Sequence, residues 1–308
     1  MQRLFIFAVV GLVAQLIDGA LGMAYGVTAT TLLLSTGSAP AIASASVHLA
    51  EVGTTLASGL SHWRFGNVSW RTVGWIGVPG AAGGFLGAVV LSSFSAPSVK
   101  PLVAVILLCL GAFIVWRFAF GGSLRPVPEQ HMRPRFLGPL GLGAGFLDAI
   151  GGGGWGPVTG PTLMTAGRME PRRAIGSASA SEFLVAISAS AGFLLSLGRS
   201  GVDLRLVTAL LAGGVCAAPL AAWLVHRLHP RVMGTLVGGV VLLTNARTVL
   251  VATGLGGPTR LACLLVLAVV CATVVLRTAL TLPRDAFRGG RDPLGPVDSR
   301  EASPVVPA

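Results

Sequence analysis

The chain has 308 residues, of which 53% are hydrophobic and only 11% charged, with a mean hydropathy of +0.80. Soluble domains carry about 25% charged residues, so the polar surface that a soluble enzyme, a nucleic-acid module or a secreted disulfide scaffold needs is missing. The formal charge of +11 is nearly all arginine, Lys100 being the one lysine, and in so apolar a chain such cations flank helices and set their orientation.

Taken in order, the first apolar stretch covers residues 4–34 and is interrupted by Gly19, Gly22 and Gly26. It is too long for one ordinary helix and too short for two spanning ones, since about 20 residues cross the hydrocarbon core. Two half-length helices meeting at a glycine turn, a re-entrant hairpin, fit it best. Its recurrence mid-chain argues against a cleaved signal peptide over residues 1–17. Apolar segments of spanning length follow at 42–62, 72–93 and 99–118, then a polar linker at 121–135. A second interrupted stretch, 136–166, is broken by Gly151 to Gly154 and Gly156, and further spans follow at 173–197, 205–225, 232–252 and 258–281. Residues 282–308, rich in proline, glycine and charge, are expected to form a disordered tail. Cys109, Cys216, Cys263 and Cys271 lie in apolar stretches without C-x-x-C spacing and read as small packing residues.

The two interrupted stretches resemble each other. Asp18-Gly19-Ala20-Leu21-Gly22 aligns with Asp148-Ala149-Ile150-Gly151-Gly152, and Tyr25-Gly26 with Trp155-Gly156. Ser46 and Glu51 align with Ser177 and Glu182, and Arg117 with Arg247. Duplication with broken helices at corresponding positions is the sequence signature of a secondary transporter, and it puts the binding site at the breaks. The cations decide the topology. With both hairpins re-entrant and the N-terminus outside, sixteen of the 22 cations fall inside, leaving Arg3, Lys100, Arg199, Arg205, Arg247 and Arg260 outside. Full crossing by both stretches would remove this bias, so positive-inside counting favours the re-entrant arrangement.

The expected fold is therefore an all-α polytopic membrane protein of two inverted structural repeats, 1–120 and 136–252. Each has a broken re-entrant helical hairpin plus three transmembrane helices, the linker and tail are cytoplasmic, and an extra transmembrane helix lies within 253–281.

Four of the 11 acidic residues, Asp18, Glu51, Asp148 and Glu182, fall within apolar segments as two matched pairs. A carboxylate at a helix centre costs about 2.5–3.5 kcal/mol on insertion scales, so such groups line a cavity or bind something. Asp18 and Asp148 stand where they can cap the helix after each break or organise a site. Glu51 and Glu182 either carry protons or bridge helices; beside a bound anion they are expected to be neutral. The run Gly151–Gly154 lets backbone approach a ligand, and the helix after it directs unpaired N–H groups and a positive dipole end at the break. The residues expected to contact an anion are Gly151, Gly152, Gly153, Gly154, Ser177, Ser46 and Gly22; close helix packing is the competing role for the glycines. His48 and His62 have no His or Cys at ligand spacing, so neither a metal nor a cofactor is expected.

Asp148-x-x-Gly151-Gly152-Gly153-Gly154 with Pro157 and Pro161, its degenerate copy from Asp18, and Ser177-x-x-x-x-Glu182 resemble the TauE/SafE family of sulfite and organosulfur anion exporters, in the 4-toluene sulfonate uptake permease-like superfamily. The resemblance covers roughly residues 5–280. It implies a multi-pass bacterial inner-membrane protein that exports a small sulfur-containing oxyanion, sulfite or a sulfonate such as sulfoacetate. The first half departs from the pattern: Val27 and Thr31 replace the prolines, and Leu21, Met23 and Ala24 replace three glycines. The second half is thus expected to contact the ligand more directly. An uptake permease for the same anions and an anion channel remain open. An enzyme is not expected, because no H-x-x-x-H, G-x-S-x-G or C-x-x-C motif occurs. The expected partners are a small anion and the lipid bilayer, not nucleic acid, and a homodimer is compatible.

Overall fold

The computed structural model describes residues 2–21, 23–121, 132–166, 169, 171–198, 202, 204–225 and 230–281. Gly22, Arg168, most of the expected linker and the expected tail lie outside the described residues. Among the described residues there are eleven helices and no strand: α1 (Gln2–Leu21), α2 (Tyr25–Ser35), α3 (Pro40–Arg64), α4 (Trp70–Ser93), α5 (Ala96–Ala119), α6 (Pro134–Gly151), α7 (Trp155–Ala166), α8 (Pro171–Leu197), α9 (Leu204–Val225), α10 (Pro230–Ala252) and α11 (Gly257–Leu280). Proline in the first turn starts α3, α5, α6 and α11, where its missing N–H costs nothing.

Five described helices are long and apolar enough to cross a membrane: α4, α5, α8 from Arg173, α10 from Arg231, and α11. The 25-residue α3 is equally long but interrupts its apolar sequence with His48, Glu51 and several hydroxyl residues, which turns that face inward. Large apolar side chains point outward on many helices, including Leu86, Leu195, Val266 and Val269. In water such a surface would aggregate; in lipid it is the expected exterior. Trp63, Phe65, Trp70, Trp116, Phe120 and Phe136 are exposed at the end of the bundle where α3 and α5 finish and α4 and α6 begin. That is the placement of an interfacial aromatic belt. The four cysteines are free thiols.

Both interrupted stretches break among the glycines that mark them, and the two arms of each are unequal. α1 and α6 have 20 and 18 residues, α2 and α7 only 11 and 12. At 1.5 Å per residue the first arms are about 27–30 Å long and the second about 17 Å. Each turn follows its aspartate by a few residues and falls just past the middle of the stretch; Gly19 stays within α1 and Gly26 within α2.

Glycines set the packing and reveal helix direction. Gly141 lies against Ile76 and Gly145 against Gly80, while Gly83 lies against Leu142 and Gly87 against Phe146. Both series advance together, so α4 and α6 run parallel. On the other side of α4, Gly77 meets Ser181, Gly84 meets Ala189 and Gly192 meets Ala88, so α8 is parallel to α4 as well. Gly176, early in α8, abuts Asn67 just ahead of α4. The helices α4, α6 and α8 therefore start at one end of the bundle. In the same way α1 runs parallel to α9, through Gly11 against Leu210 and Gln15 against Gly214. Gly234 against Phe118, Gly238 against Val115 and Gly111 against Val241 make α5 and α10 antiparallel. Without a hydrophobic drive between helices in lipid, this close backbone approach is what holds the bundle. A Cβ on Gly87 would lie 2.6 Å from the Phe146 carbonyl oxygen and 2.9 Å from the Ala149 Cβ. Gly87→Val should therefore pry α4 from α6 and lower the detergent-solubilised melting temperature by several degrees, whereas Gly74→Ala, with open space around it, should leave it unchanged.

Candidate functional site

The ends of α2 and α7 meet in the centre of the bundle. In both, an aspartate from the preceding helix caps the new one: Asp18 Oδ1 accepts from Tyr25 N at 3.2 Å, and Asp148 Oδ1 accepts from Trp155 N at 2.9 Å and Gly154 N at 2.7 Å. A helix end inside a membrane has no water to satisfy its first N–H groups, so a carboxylate seven residues upstream does so. Gly152 and Gly153 have φ of 66° and 149°, which favour glycine. A Cβ on Gly153 would run into the backbone of Gly26 and Val27, and one on Gly26 would lie 2.6 Å from Gly153 Cα. The two tips thus touch backbone to backbone. In the first half Ala24 occupies the left-handed region at φ 105° without being glycine.

The tip of α6–α7 is further clasped to its surroundings. Thr30 of α2 donates to the Gly152 carbonyl, and Ser44 Oγ donates to the Ala149 carbonyl at 2.6 Å. His48 Nδ1 donates to the Ser44 carbonyl at 2.9 Å, a group that can only accept. His48 Nε2 then faces Asp148 Oδ2 at 3.1 Å in a buried pair. Asn245 Nδ2 on α10 donates to Thr31 Oγ1 at 3.1 Å and to the Val241 carbonyl at 2.9 Å. Trp155 is fully buried, with Nε1 donating to the Ala178 carbonyl at 3.0 Å.

Beside the touching tips lies a cavity of about 220 Å³. Its wall includes Gln15 and Asp18 of α1, Tyr25 and Gly26 of α2, and Gly153, Gly154 and Gly156 at the second tip. A stripe of α3 (Glu51, Thr54, Thr55, Ser58, His62) faces a stripe of α8 (Ile175, Ala178, Ser179, Glu182) across it. Both stripes follow the helical period, and Ser179 Oγ donates to Ser58 Oγ at 2.8 Å between them. Among the described lining residues there is no Lys or Arg.

The profile of the family described as "Sulfite exporter TauE/SafE" matches residues 7–248. The chain belongs to the TauE/SafE family. It is 52% identical over 253 residues to the Bacillus subtilis (strain 168) "Probable membrane transporter protein YtnM", covering 81% of this chain and 84% of that one. It is 22% identical over 250 residues to that organism's "Probable membrane transporter protein YjnA", covering 78% and 97%. No solved structure matches. The chain is accordingly a multi-pass membrane transporter.

On this TauE/SafE member the structure brings Asp18, Glu51, Glu182, Gly153 and Gly154 to one cavity. Other expected contacts are elsewhere. Gly151 abuts Ile106, and Gly152 is covered by Thr30. Ser177 Oγ accepts from Ser69 N at 2.9 Å, fixing α8 to the start of α4, and Ser46 is buried in packing away from the cavity. Gly22 lies outside the described residues. Asp148 sits behind the tip in its pair with His48 rather than on the cavity wall. The polar stripe Glu51–Thr54–Thr55–Ser58–His62 was available in the sequence from its i, i+3, i+4, i+7, i+11 spacing, as was Gln15 one turn before Asp18. The bond from His48 to Asp148, 100 residues away, leaves no local signal. Removing one partner of a buried pair strands the other, at about 3–5 kcal/mol. His48→Ala should therefore lower the melting temperature sharply, whereas His62→Ala at the half-buried cavity wall should barely change it; thermal unfolding of both variants in detergent checks this.

Proposed function

We propose that this transporter exports a small sulfur-containing oxyanion, sulfite or a sulfonate such as sulfoacetate, across a bacterial inner membrane by alternating access, with the cavity beside the two helix breaks as its substrate site. The observation that carries the reading is the position of that cavity: it lies where two capped helix N-termini converge, the placement that the broken helices of secondary transporters give their sites. The first-turn backbone of Gly26 and Gly156 lines it, and the positive ends of α2 and α7 favour an anionic group there. An inside-negative potential assists exit of an anion by about 2.3 kcal/mol per charge per 100 mV. Uptake of the same anions would use the same site.

The helix directions support two inverted repeats with re-entrant hairpins. Because α6 and α8 start at the same end of the bundle, α7 has to return to that end. The parallel pair α1 and α9 asks the same of α2. The ends that gather Arg64, Arg71, Arg117, Arg133, Arg231 and Arg277 then share one face, the cytoplasmic one by positive-inside counting. The cavity runs toward that face through Ser58, His62 and Ile175, so the conformation is inward-facing. On the other side the touching tips close the path, which supports a carrier over an open channel.

Carboxylates beside an oxyanion have to be neutralised while it is bound. Glu182 takes a proton in this reading and links flux to the pH gradient. Glu182→Gln keeps much of the hydrogen bonding but cannot release a proton. In proteoliposomes carrying radiolabelled sulfite or sulfoacetate, this variant should bind anion yet lose the dependence of flux on an imposed pH gradient; unchanged dependence would make Glu182 structural. Single cysteines beside Arg64 and Arg277 should react with impermeant reagent from the face opposite to those beside Arg3 and Arg260.

A further inference from the structure

Three carboxylates, Asp18, Glu51 and Glu182, line a space of about 220 Å³ that no described Lys or Arg enters. A proton on Glu182 answers for one of them. The corner formed by α1, α2 and α3 holds the other two, and it has unspent polar atoms. Glu51 is 3% exposed, and its Oε2 is buried with no hydrogen-bond partner, while Oε1 lies against Gly26. Tyr25 is 5% exposed, and its hydroxyl is likewise buried and unpartnered. The Gln15 Oε1 is buried without a partner beside it, both atoms lying against Gly214. Asp18 uses one oxygen on the Tyr25 amide.

Buried polar atoms are nearly always paired, and an unpaired carboxylate oxygen is among the costliest exceptions. A protonated Glu51 would not cure this, because it adds one donor to a corner with several unmet acceptors. What the corner lacks is a compact donor with several hydrogens that enters from the cavity. Its atoms are mostly acceptors: carboxylate oxygens, an amide oxygen and a phenol that can also accept. An ammonium group supplies three donors and a positive charge in one atom. A bare metal ion fits less well, since among the described residues no group of three or more His, Cys, Asp or Glu is placed to hold one. The first turns of α2 and α7, by contrast, bring backbone N–H groups at Gly26 and Gly156 to the cavity wall.

We infer that the substrate carries both charges: a sulfur oxyanion held at the helix tips and an ammonium held by Glu51, Asp18, Tyr25 and Gln15, which makes the preferred substrate class a small zwitterionic amino-sulfur acid. This rests on the reading of the cavity as the substrate site. The paired aspartates then have different tasks. Asp148 is paired with His48 and shut away from the cavity. Asp18, whose counterpart of His48 on α8 is Ser179, lines the cavity and is available to the ligand.

Two probes of nearly equal shape separate the outcomes: 2-aminoethanesulfonate, which has the ammonium, and 2-hydroxyethanesulfonate, which lacks it. In proteoliposomes of the full chain, the amino compound should be transported with a kcat/KM at least about tenfold higher, the scale of one charged hydrogen-bond set. Glu51→Gln should shrink that ratio toward one. Equal transport of both probes, in sodium-, potassium- and choline-based buffers alike, would overturn the inference while leaving the anion reading intact. Transport of the hydroxy compound that requires sodium or potassium would also overturn it, by assigning the corner to an inorganic cation. If neither probe nor sulfite moves, the cavity reading itself fails. The ratio measured on the unmodified protein decides the matter even if Glu51→Gln does not fold.

Discussion

Ending a helix inside a membrane leaves backbone N–H groups with no water to bond, and the rest of this structure follows from how that debt is met. Asp18 and Asp148 supply the acceptors for α2 and α7, and both carboxylates have in turn to be accommodated in an apolar bundle. Asp148 is met by His48, which Ser44 holds in the required tautomer. The glycines at the second tip then allow the two breaks to meet backbone to backbone at Gly26 and Gly153. A polar cavity lies beside this contact. The proposed carrier mechanism takes that cavity as a site opening to one face at a time.

The same contact explains why the two halves have diverged. The second tip has four glycines, two of them in backbone conformations that only glycine adopts readily, and three side chains fasten it. Among the described residues the first tip has Ala24 at positive φ and a 3.2 Å cap bond from Tyr25 N to Asp18, and α2 is tied to its neighbours through Thr30 and Thr31. The sequence alone favours the glycine-rich half for ligand contact; the cavity wall draws on both halves, with Asp18, Tyr25 and Glu51 from the first and Gly153, Gly154 and Glu182 from the second.

Much of the fold was legible because its determinants are local. Apolar runs of spanning length, first-turn prolines and the repeated Asp-Gly breaks each leave a mark in a window of twenty residues. The glycines mark where both stretches break, but not that the arm before each turn is longer than the one after it. The sequence offers Ser44, Ser46, Ser177, Ser179 and Ser181 as hydroxyl donors, and matching repeat positions do not say which face meets the cavity; of these Ser179 lines it. His48, Thr30 and Asn245 act across 100 to 214 residues of sequence, and no periodicity reports such partners.

The central claim is that the cavity between the breaks holds the transported oxyanion while open to the cytoplasmic face. It is tested most directly by a single cysteine at Ser179, with Cys109, Cys216, Cys263 and Cys271 replaced, reacted with a membrane-impermeant maleimide in vesicles of known orientation. The account predicts labelling from the cytoplasmic face that slows as sulfonate is added. Labelling from the opposite face alone, or labelling that no sulfonate slows, would contradict it.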